Sequence, residues 1–297
     1  MTGERIDVAT PSTVAQALRA ATAPGALGID RLDAQLLLLH ALGRAPHDRA
    51  WLLAHDTDAL PEAAWLHFAA GCARRRAGEP VAYLVGEKEF HGLTLKVDAR
   101  VLVPRPDTET LVDWALAVLE GQSAPHVLDL GTGSGAIALA LQQARPDARV
   151  VAVDASADAL AVASANARRL GLPVQFRQAD WLDGAPAGLD LIASNPPYIA
   201  AGDPHLPALA HEPVSALVSG TDGLDDLRRI VDAAPAHLRP GGWLLLEHGH
   251  DQSAAVKALL QARGFDQAHS RNDLAGIARC TGGVWNGTSG TSARTVK

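Results

Sequence analysis

The chain has 297 residues, 47% hydrophobic and 20% charged, with a formal net charge of −7. That suits an ordinary globular protein of one large domain or two modest ones. The acidic balance argues against free nucleic acid as the main partner, because such proteins carry a basic surface. Cys72 and Cys280 lack CxxC spacing, which argues against a disulfide framework or a zinc site. The start, MTGERIDVATPS, has no signal-peptide core, and apolar runs such as LLLL at 36–39 are too short to span a bilayer. A monomer in the cytoplasm, with no membrane contact, is expected.

Residues 1–80 read as a small helical bundle. Thr10 and Ser12 are placed to cap TVAQALRAA, Asp30 precedes LDAQLLLLHAL, and Pro61 opens PEAAWLHFAAGCARRR. The run RRR at 74–76 reads as a solvated helix end. Residues 81–103, VAYLVGEKEFHGLTLKVDARVLV, change character: LTLKV alternates and His91-Gly92 suits a turn, so a β-hairpin linker is expected. PRPDTE at 104–109 then leads into the amphipathic TLVDWALAVLE.

Strand and helix patterns alternate from residue 126 onward. HVLDL, RVVAVDA, VQFRQAD, DLIASN and WLLLEHG read as strands. GAIALALQQA, ADALAVASANARRLG (stopped by Gly171), DDLRRIVDAAPAHL and SAAVKALLQARGF read as helices. Residues 104–285 are therefore expected to form an α/β domain, a doubly wound parallel sheet with helices on both faces. The tail at 286–297, NGTSGTSARTVK, has the composition of a disordered segment.

VLDLGTGSGAIAL at 127–139 is strand, glycine turn and helix. The loop Gly131-Thr132-Gly133-Ser134-Gly135 lets the backbone turn tightly and a ligand approach closely. Its GxGxG spacing is neither the dinucleotide fingerprint nor a P-loop, and alone it is a weak signal. Asp154 ends the next strand, where a carboxylate can accept from ribose hydroxyls; a helix N-cap is its bland reading. Asp180 and Trp181 follow the third strand, where an acid can accept from an adenine amino group and an indole can cover the base. Trp181 could equally be core. All three positions fall at successive strand ends, which favours a nucleoside ligand. No phosphate grip accompanies them, so S-adenosylmethionine is the expected cofactor.

SNPPYI at 194–199 ends the fourth strand at the same crevice. Pro196 and Pro197 stiffen the chain, and Pro196 has no N–H. The Asn195 side-chain oxygen and the Pro196 carbonyl can each accept one hydrogen of a substrate NH₂. Tyr198 can lie against a planar conjugated group. Such a nitrogen is a poor nucleophile, so orientation matters more than a perturbed acid or base. The bland reading is a rigid turn.

At this point the sequence resembles methyltransferases that act on planar NH₂ groups. PRPDTE at 104–109, LDLGTGSGAIALAL at 128–141, SNPPYI at 194–199, PHL at 204–206, EP at 212–213, DGL at 222–224 and LLLEHG at 244–249 are more specific. Together they are similar to the release factor glutamine methyltransferases. The resemblance implies a Rossmann-like class I S-adenosylmethionine-dependent methyltransferase domain after the helical bundle. It implies methylation of the glutamine in the Gly-Gly-Gln loop of peptide chain release factors, with the bundle docking that protein. The expected cofactor-binding residues are Gly131 to Gly135 and Asn195 by the matched motifs, and Asp154, Asp180 and Trp181 by their strand-end positions. Asn195, Pro196, Pro197 and Tyr198 form the catalytic set, and they bind substrate together with Arg105. The sequence departs from the family at His211, where an aromatic often precedes the Glu-Pro pair, and the stretch from PHL to EP is short.

Glu247-His248-Gly249-His250 lacks a third anchor for a metal, and none is expected. Arg105, Asp107 and Glu109 could serve only as capping and first-turn charges. A nucleic-acid amino methyltransferase would use the same site but should carry a basic recognition surface. A non-catalytic cofactor-binding scaffold would not need Asn195 and Tyr198 in matched places.

Overall fold

The computed structural model describes residues 12–23 and 28–287. It contains two compact units, Met1–Gly86 and Glu87–Lys297. The cap expected at Thr10 and the tail from 288 lie outside the described residues.

The first unit is helical: α1 (Val14–Thr22), α2 (Arg31–Ala41), α3 (Arg49–Ala54), α4 (Glu62–Arg76) and α5 (Val81–Val85). Thr13, not Ser12, caps α1, its hydroxyl accepting from Gln16 N at 3.3 Å. Ser12 instead donates to the Gln16 side chain from its backbone and its hydroxyl. Asp30 caps α2 as expected, accepting from Leu32 N at 2.7 Å. Leu37, Leu38, Leu39, Phe68 and Cys72 fill the core between the helices. The arginine run is only partly solvated, because Arg74 pairs with Glu79 and Arg75 with Asp33. Residues 81–85, expected in the hairpin, are helical instead. Their apolar side chains pack on the helical core, and Gly86 closes the turn at φ +74°.

The second unit opens with the hairpin β1 (Glu87–Phe90) and β2 (Leu93–Lys96), turned at His91 and Gly92, both with positive φ. Next come α6 (Glu109–Val118), β3 (His126–Leu130), α7 (Ala136–Ala144), β4 (Arg149–Asp154), α8 (Ala157–Leu170), β5 (Gln175–Gln178) and β6 (Leu189–Ser194). The chain ends with α9 (Asp225–Ala233), β7 (Leu238–Glu247), α10 (Ser253–Arg263), β8 (Asp266–Asn272) and β9 (Ala278–Trp285). The sheet runs β5-β4-β3-β6-β7-β9-β8. The expected strands β3 to β7 are parallel, but β9 is antiparallel to both its neighbours, so the sheet is mixed. The last two strands escape a sequence reading because DQAHSRN is mostly exposed and polar, and ARCTGGVW is interrupted by a glycine pair.

Alternation along the strands sorts side chains to two cores. Val127, Leu191, Ala193 and Leu245 meet α6 and α7 on one face. Leu128, Leu130, Ile192, Leu244 and Leu246 meet α9 and α10 on the other. The chain leaves β3 toward β4 on one side, while β6 lies on the other side of β3. Such a switch point opens a crevice at the strands' carboxyl ends. Leu130 pairs with Ser194 across it, so Gly131 and Asn195 are the first residues beyond the sheet there. No helix among the described residues is long and apolar enough to cross a membrane.

Candidate active site

The glycine loop is shaped by positive φ at Gly131, Gly133 and Gly135. At Gly135 a Cβ would lie 2.9 Å from Leu139 Cδ1 and 3.3 Å from the Ala163 methyl, so only glycine lets α7 start against α8. The loop is pinned from two sides. Asp154 accepts from Gly133 N and from Ser156 N, each at 2.9 Å. From beneath, buried Asp129 accepts from the Thr132 hydroxyl at 2.7 Å and from Ala138 N at 3.2 Å. Burial pushes the Asp129 carboxyl up to about 7, against these hydrogen bonds. The N-cap of α8 is Ser156, not Asp154.

A cavity of about 270 Å³ lies over this loop. Gly131, Gly133, Asp154, Asp180, Trp181, Asn195 and Pro197 line it, so most of the expected cofactor residues meet there. Thr132, Ser134 and Gly135 do not line it; Thr132 and Gly135 shape the loop instead. Trp181 has φ +51°, strained for a tryptophan, and its indole N–H donates to Asp226 at 3.0 Å. Asp226 also accepts from the Ser219 hydroxyl, which ties the indole to the start of α9. Trp181 carbon lies 3.2 Å from where a Gly131 Cβ would be, so the ring closes down on the loop. Asp180 holds an exposed ion pair with Arg229 at 2.6 Å. The cradle fits a nucleoside-bearing cofactor: carboxylates at two strand ends, a flat indole, and a backbone with no Cβ in the way.

A second cavity of about 340 Å³ is lined by Leu102, Arg105, Asn195, Tyr198, Ile199, Leu209, Ala216 and Leu217. Asn195 borders both cavities. Its Nδ2 donates to Thr108 Oγ1 at 3.1 Å, while its Oδ1 is buried and has no hydrogen-bond partner among the described residues. Pro196 and Pro197 are buried. Burial and the Glu247 carboxylate push the Tyr198 phenol well above its ordinary range, so the ring stays neutral. The Tyr198 carbonyl accepts from Gln252 Nε2 at 3.0 Å, and a Cβ on Gly223 would come within 2.2 Å of that carbonyl. The Asp-Gly-Leu motif therefore packs against the backbone of the asparagine motif.

The PRPDTE side chains are not helix caps. Arg105 pairs with buried Glu212, which also accepts from Val103 N at 3.0 Å. Asp107 pairs with Arg279 at 3.3 Å, and Glu109 accepts from His91 N at 3.0 Å. The sequence reading passed over Thr108, Asp129, Glu212 and Glu247 as site residues. For Asp129 and Glu247 a signal existed: a lone carboxylate in an otherwise apolar strand is costly to bury and marks a place with a task. Among the described residues, no group of three or more His, Cys, Asp or Glu could hold a metal ion.

The family model "Methyltransferase small domain" matches residues 111–266, and "PrmC N-terminal domain" matches residues 13–86. A release factor glutamine methyltransferase of Bordetella pertussis is 53% identical over 263 residues, covering 86% of this chain and 95% of that one. The chain belongs to the release factor glutamine methyltransferases. A Burkholderia pseudomallei relative of the same name is 48% identical, covering 92% of this chain and 96% of its own. Among solved structures, the release factor-specific protein-(glutamine-N5) methyltransferase of Alicyclobacillus acidocaldarius is 32% identical, covering 63% of this chain and 97% of that one at a TM-score of 0.40. A T. thermophilus 16S rRNA N2 methyltransferase in complex with AdoMet and guanosine is 23% identical, covering 67% and 49% at a TM-score of 0.51, a likeness of fold. This family member has a class I S-adenosylmethionine-dependent methyltransferase fold, and the crevice at the switch point of its sheet is the candidate cofactor site.

Proposed function

We infer that the chain transfers a methyl group from S-adenosylmethionine to the side-chain amide nitrogen of the glutamine in the Gly-Gly-Gln motif of peptide chain release factors. The observation that carries this reading is Asn195 Oδ1, a buried acceptor without a partner among the described residues, on a residue that borders both cavities. Such an acceptor costs about 1–3 kcal/mol when unpaired, and a substrate N–H offsets that cost.

Asp154 would accept from the ribose hydroxyls, Asp180 from the adenine amino group, and Trp181 would cover the base. S-adenosylmethionine supplies an electrophilic methyl group on a positively charged sulfur. The chain's own residues supply position. Asn195 Oδ1 and the Pro196 carbonyl accept the two amide hydrogens, which turns the nitrogen lone pair toward the methyl. Tyr198 lies against the planar amide and, staying neutral, brings no charge. The nitrogen gains the methyl and sheds one proton to water. Arg105, fixed by Glu212, borders the substrate cavity. This reading takes the chain as a cytoplasmic monomer acting on a protein, with no nucleic acid in the site. The two free, buried cysteines suit a reducing compartment.

The test is incubation with a purified, folded release factor and methyl-labelled S-adenosylmethionine, followed by mass spectrometry of the Gly-Gly-Gln peptide. A single methyl on that glutamine is expected, and none on a release factor carrying Ala in its place. Equal labelling of that control, or preferential labelling of DNA, overturns the reading.

A further inference from the structure

We propose that Glu247, acting through the hydroxyl of Thr108, is a positioning residue that sets which end of the Asn195 amide faces the substrate. The proposal rests on the methyl-transfer reading above. It starts from register. Ser194 on β6 pairs with Leu246 on β7, so Asn195 and Glu247 stand side by side at neighbouring carboxyl ends. Thr108 reaches the same spot from the turn before α6, and it is 4% exposed.

An asparagine amide has almost the same shape either way round; only its hydrogen bonds distinguish oxygen from nitrogen. Here Nδ2 donates to Thr108 Oγ1 at 3.1 Å. A threonine hydroxyl has one proton, so a Thr108 oxygen that accepts from Asn195 must send its own proton elsewhere. The Glu247 carboxylate, at the neighbouring strand end, is the acceptor assigned to it, and the Thr108 and Tyr198 hydroxyls both stabilise its charged form. The hydrogen bonds then run one way, from Asn195 N–H to the Thr108 oxygen and from the Thr108 O–H to Glu247. That direction leaves Oδ1 for the substrate NH₂. The reverse direction would present N–H donors to a donor.

The alternative, that Glu247 is merely part of an ion pair, does not fit. Glu247 is 1% exposed, and among the described residues its Oε2 has no hydrogen-bond partner and no salt bridge reaches it. The nearby cation, Arg279, is already shared between Asp107 and Asp273. A carboxylate kept under these conditions at the end of an apolar strand needs a reason other than stability.

The groups facing Glu247 are Thr108 and Asp107 from the turn before α6, Tyr198 after β6, and Arg279 and Cys280 on β9. Burial is the largest influence and Asp107 adds to it, lifting the carboxyl to about 7 against the pull of Thr108, Arg279 and Tyr198. When protonated, Glu247 donates to Thr108 and frees that hydroxyl's proton for Asn195 Oδ1, which reverses the chain. Turnover should therefore rise with pH through the neutral range.

The experiment uses the full-length enzyme with folded release factor and S-adenosylmethionine. Thr108→Val is expected to lower kcat on the order of tenfold or more, because misorientation acts at the reacting step. KM for the release factor and cofactor affinity should stay within a few-fold. Thr108→Ser, which restores the hydroxyl, should recover most of the loss. Glu247→Gln keeps an acceptor without the charge; it should retain measurable turnover and lose the rise of kcat between about pH 6 and 8 that the wild type shows. Glu247→Gln, polar and of nearly the same volume, carries the test if Thr108→Val does not fold. A wild type that labels no release factor refutes the methyl-transfer reading and this proposal with it. An active wild type overturns this proposal alone if Thr108→Val matches Thr108→Ser in kcat, or if Glu247→Gln keeps the wild-type pH profile.

Discussion

The two cavities that meet at Asn195 treat their polar groups differently. On the cofactor side the side chains are already engaged: both Asp154 oxygens accept backbone N–H groups, the Trp181 indole donates to Asp226, and Asp180 holds Arg229. Where the substrate cavity begins, Asn195 Oδ1 is buried without a hydrogen-bond partner among the described residues. The first cradle is shaped by internal bonds before any ligand arrives. The second carries an unpaired acceptor whose cost is offset only by the right substrate. This asymmetry suits their tasks. A cofactor common to many enzymes needs a stable cradle, whereas a weakly nucleophilic amide needs acceptors reserved for it.

The sharpest way to break this comparison is Asn195→Ala. It should lower turnover on the order of a hundredfold or more, the scale seen for losing a positioned polar group, with little change in cofactor affinity. Single-turnover rates within a few-fold of wild type would remove Asn195 from the chemistry. Asp154→Ala should do the opposite. It should weaken S-adenosylmethionine by about 1–3 kcal/mol, measured by calorimetry, through loss of the ribose acceptor and of the clamp on Gly133. Turnover at saturating cofactor should fall far less. Equal losses in both parameters for both variants would erase the distinction between the cavities.

A subtler test concerns Asp129 beneath the loop. Its folded-state pKa is raised from 3.8 to about 7 by burial. A raised value means that its contribution to stability is full below the unfolded pKa and is lost as pH rises through about 7. Thermal unfolding of the wild type should therefore carry a destabilising component as pH climbs from about 4 to 7. Glu247 adds a component of the same sign, raised by burial to about 7. Buried His248 works in the opposite direction: its pKa is lowered, so its contribution is present above 6.5 and lost as pH falls. The informative quantity is thus the difference between Asp129→Asn and wild type, which should shrink the pH slope in that window. An unchanged slope would mean that Asp129 is ionised in the folded state throughout.

The smallest expected effect lies in the helical unit, where Leu53 and Leu66 are 69% and 60% exposed. If that unit docks the release factor, Leu66→Glu should raise KM for the whole protein a few-fold, roughly 1 kcal/mol or less, and leave activity on a short Gly-Gly-Gln peptide unchanged. Equal effects on both substrates would count against docking there.

Much of this molecule was legible in sequence because its signals are local. Gly131, Gly133 and Gly135 take the positive φ that their spacing implies, and Gly171 and Gly264 stop their helices for the same steric reason. The parallel strands from β3 to β7 follow from apolar runs separated by helical periods, and Asn195 stands at a strand end because two prolines forbid the strand to continue. What only the tertiary structure decided is who meets whom. Thr108 reaches Asn195 across 87 positions of sequence, and Arg105 reaches Glu212 across 107. Those contacts depend on the order in which strands lie side by side. A hydrophobic period reports which face is buried, not which strand is the neighbour. The same limit hid β8 and β9, whose pairing is supplied by the sheet rather than by their own composition. It also hid Glu247, which as sequence is one acidic residue after a run of leucines and as structure stands beside the asparagine it is proposed to orient.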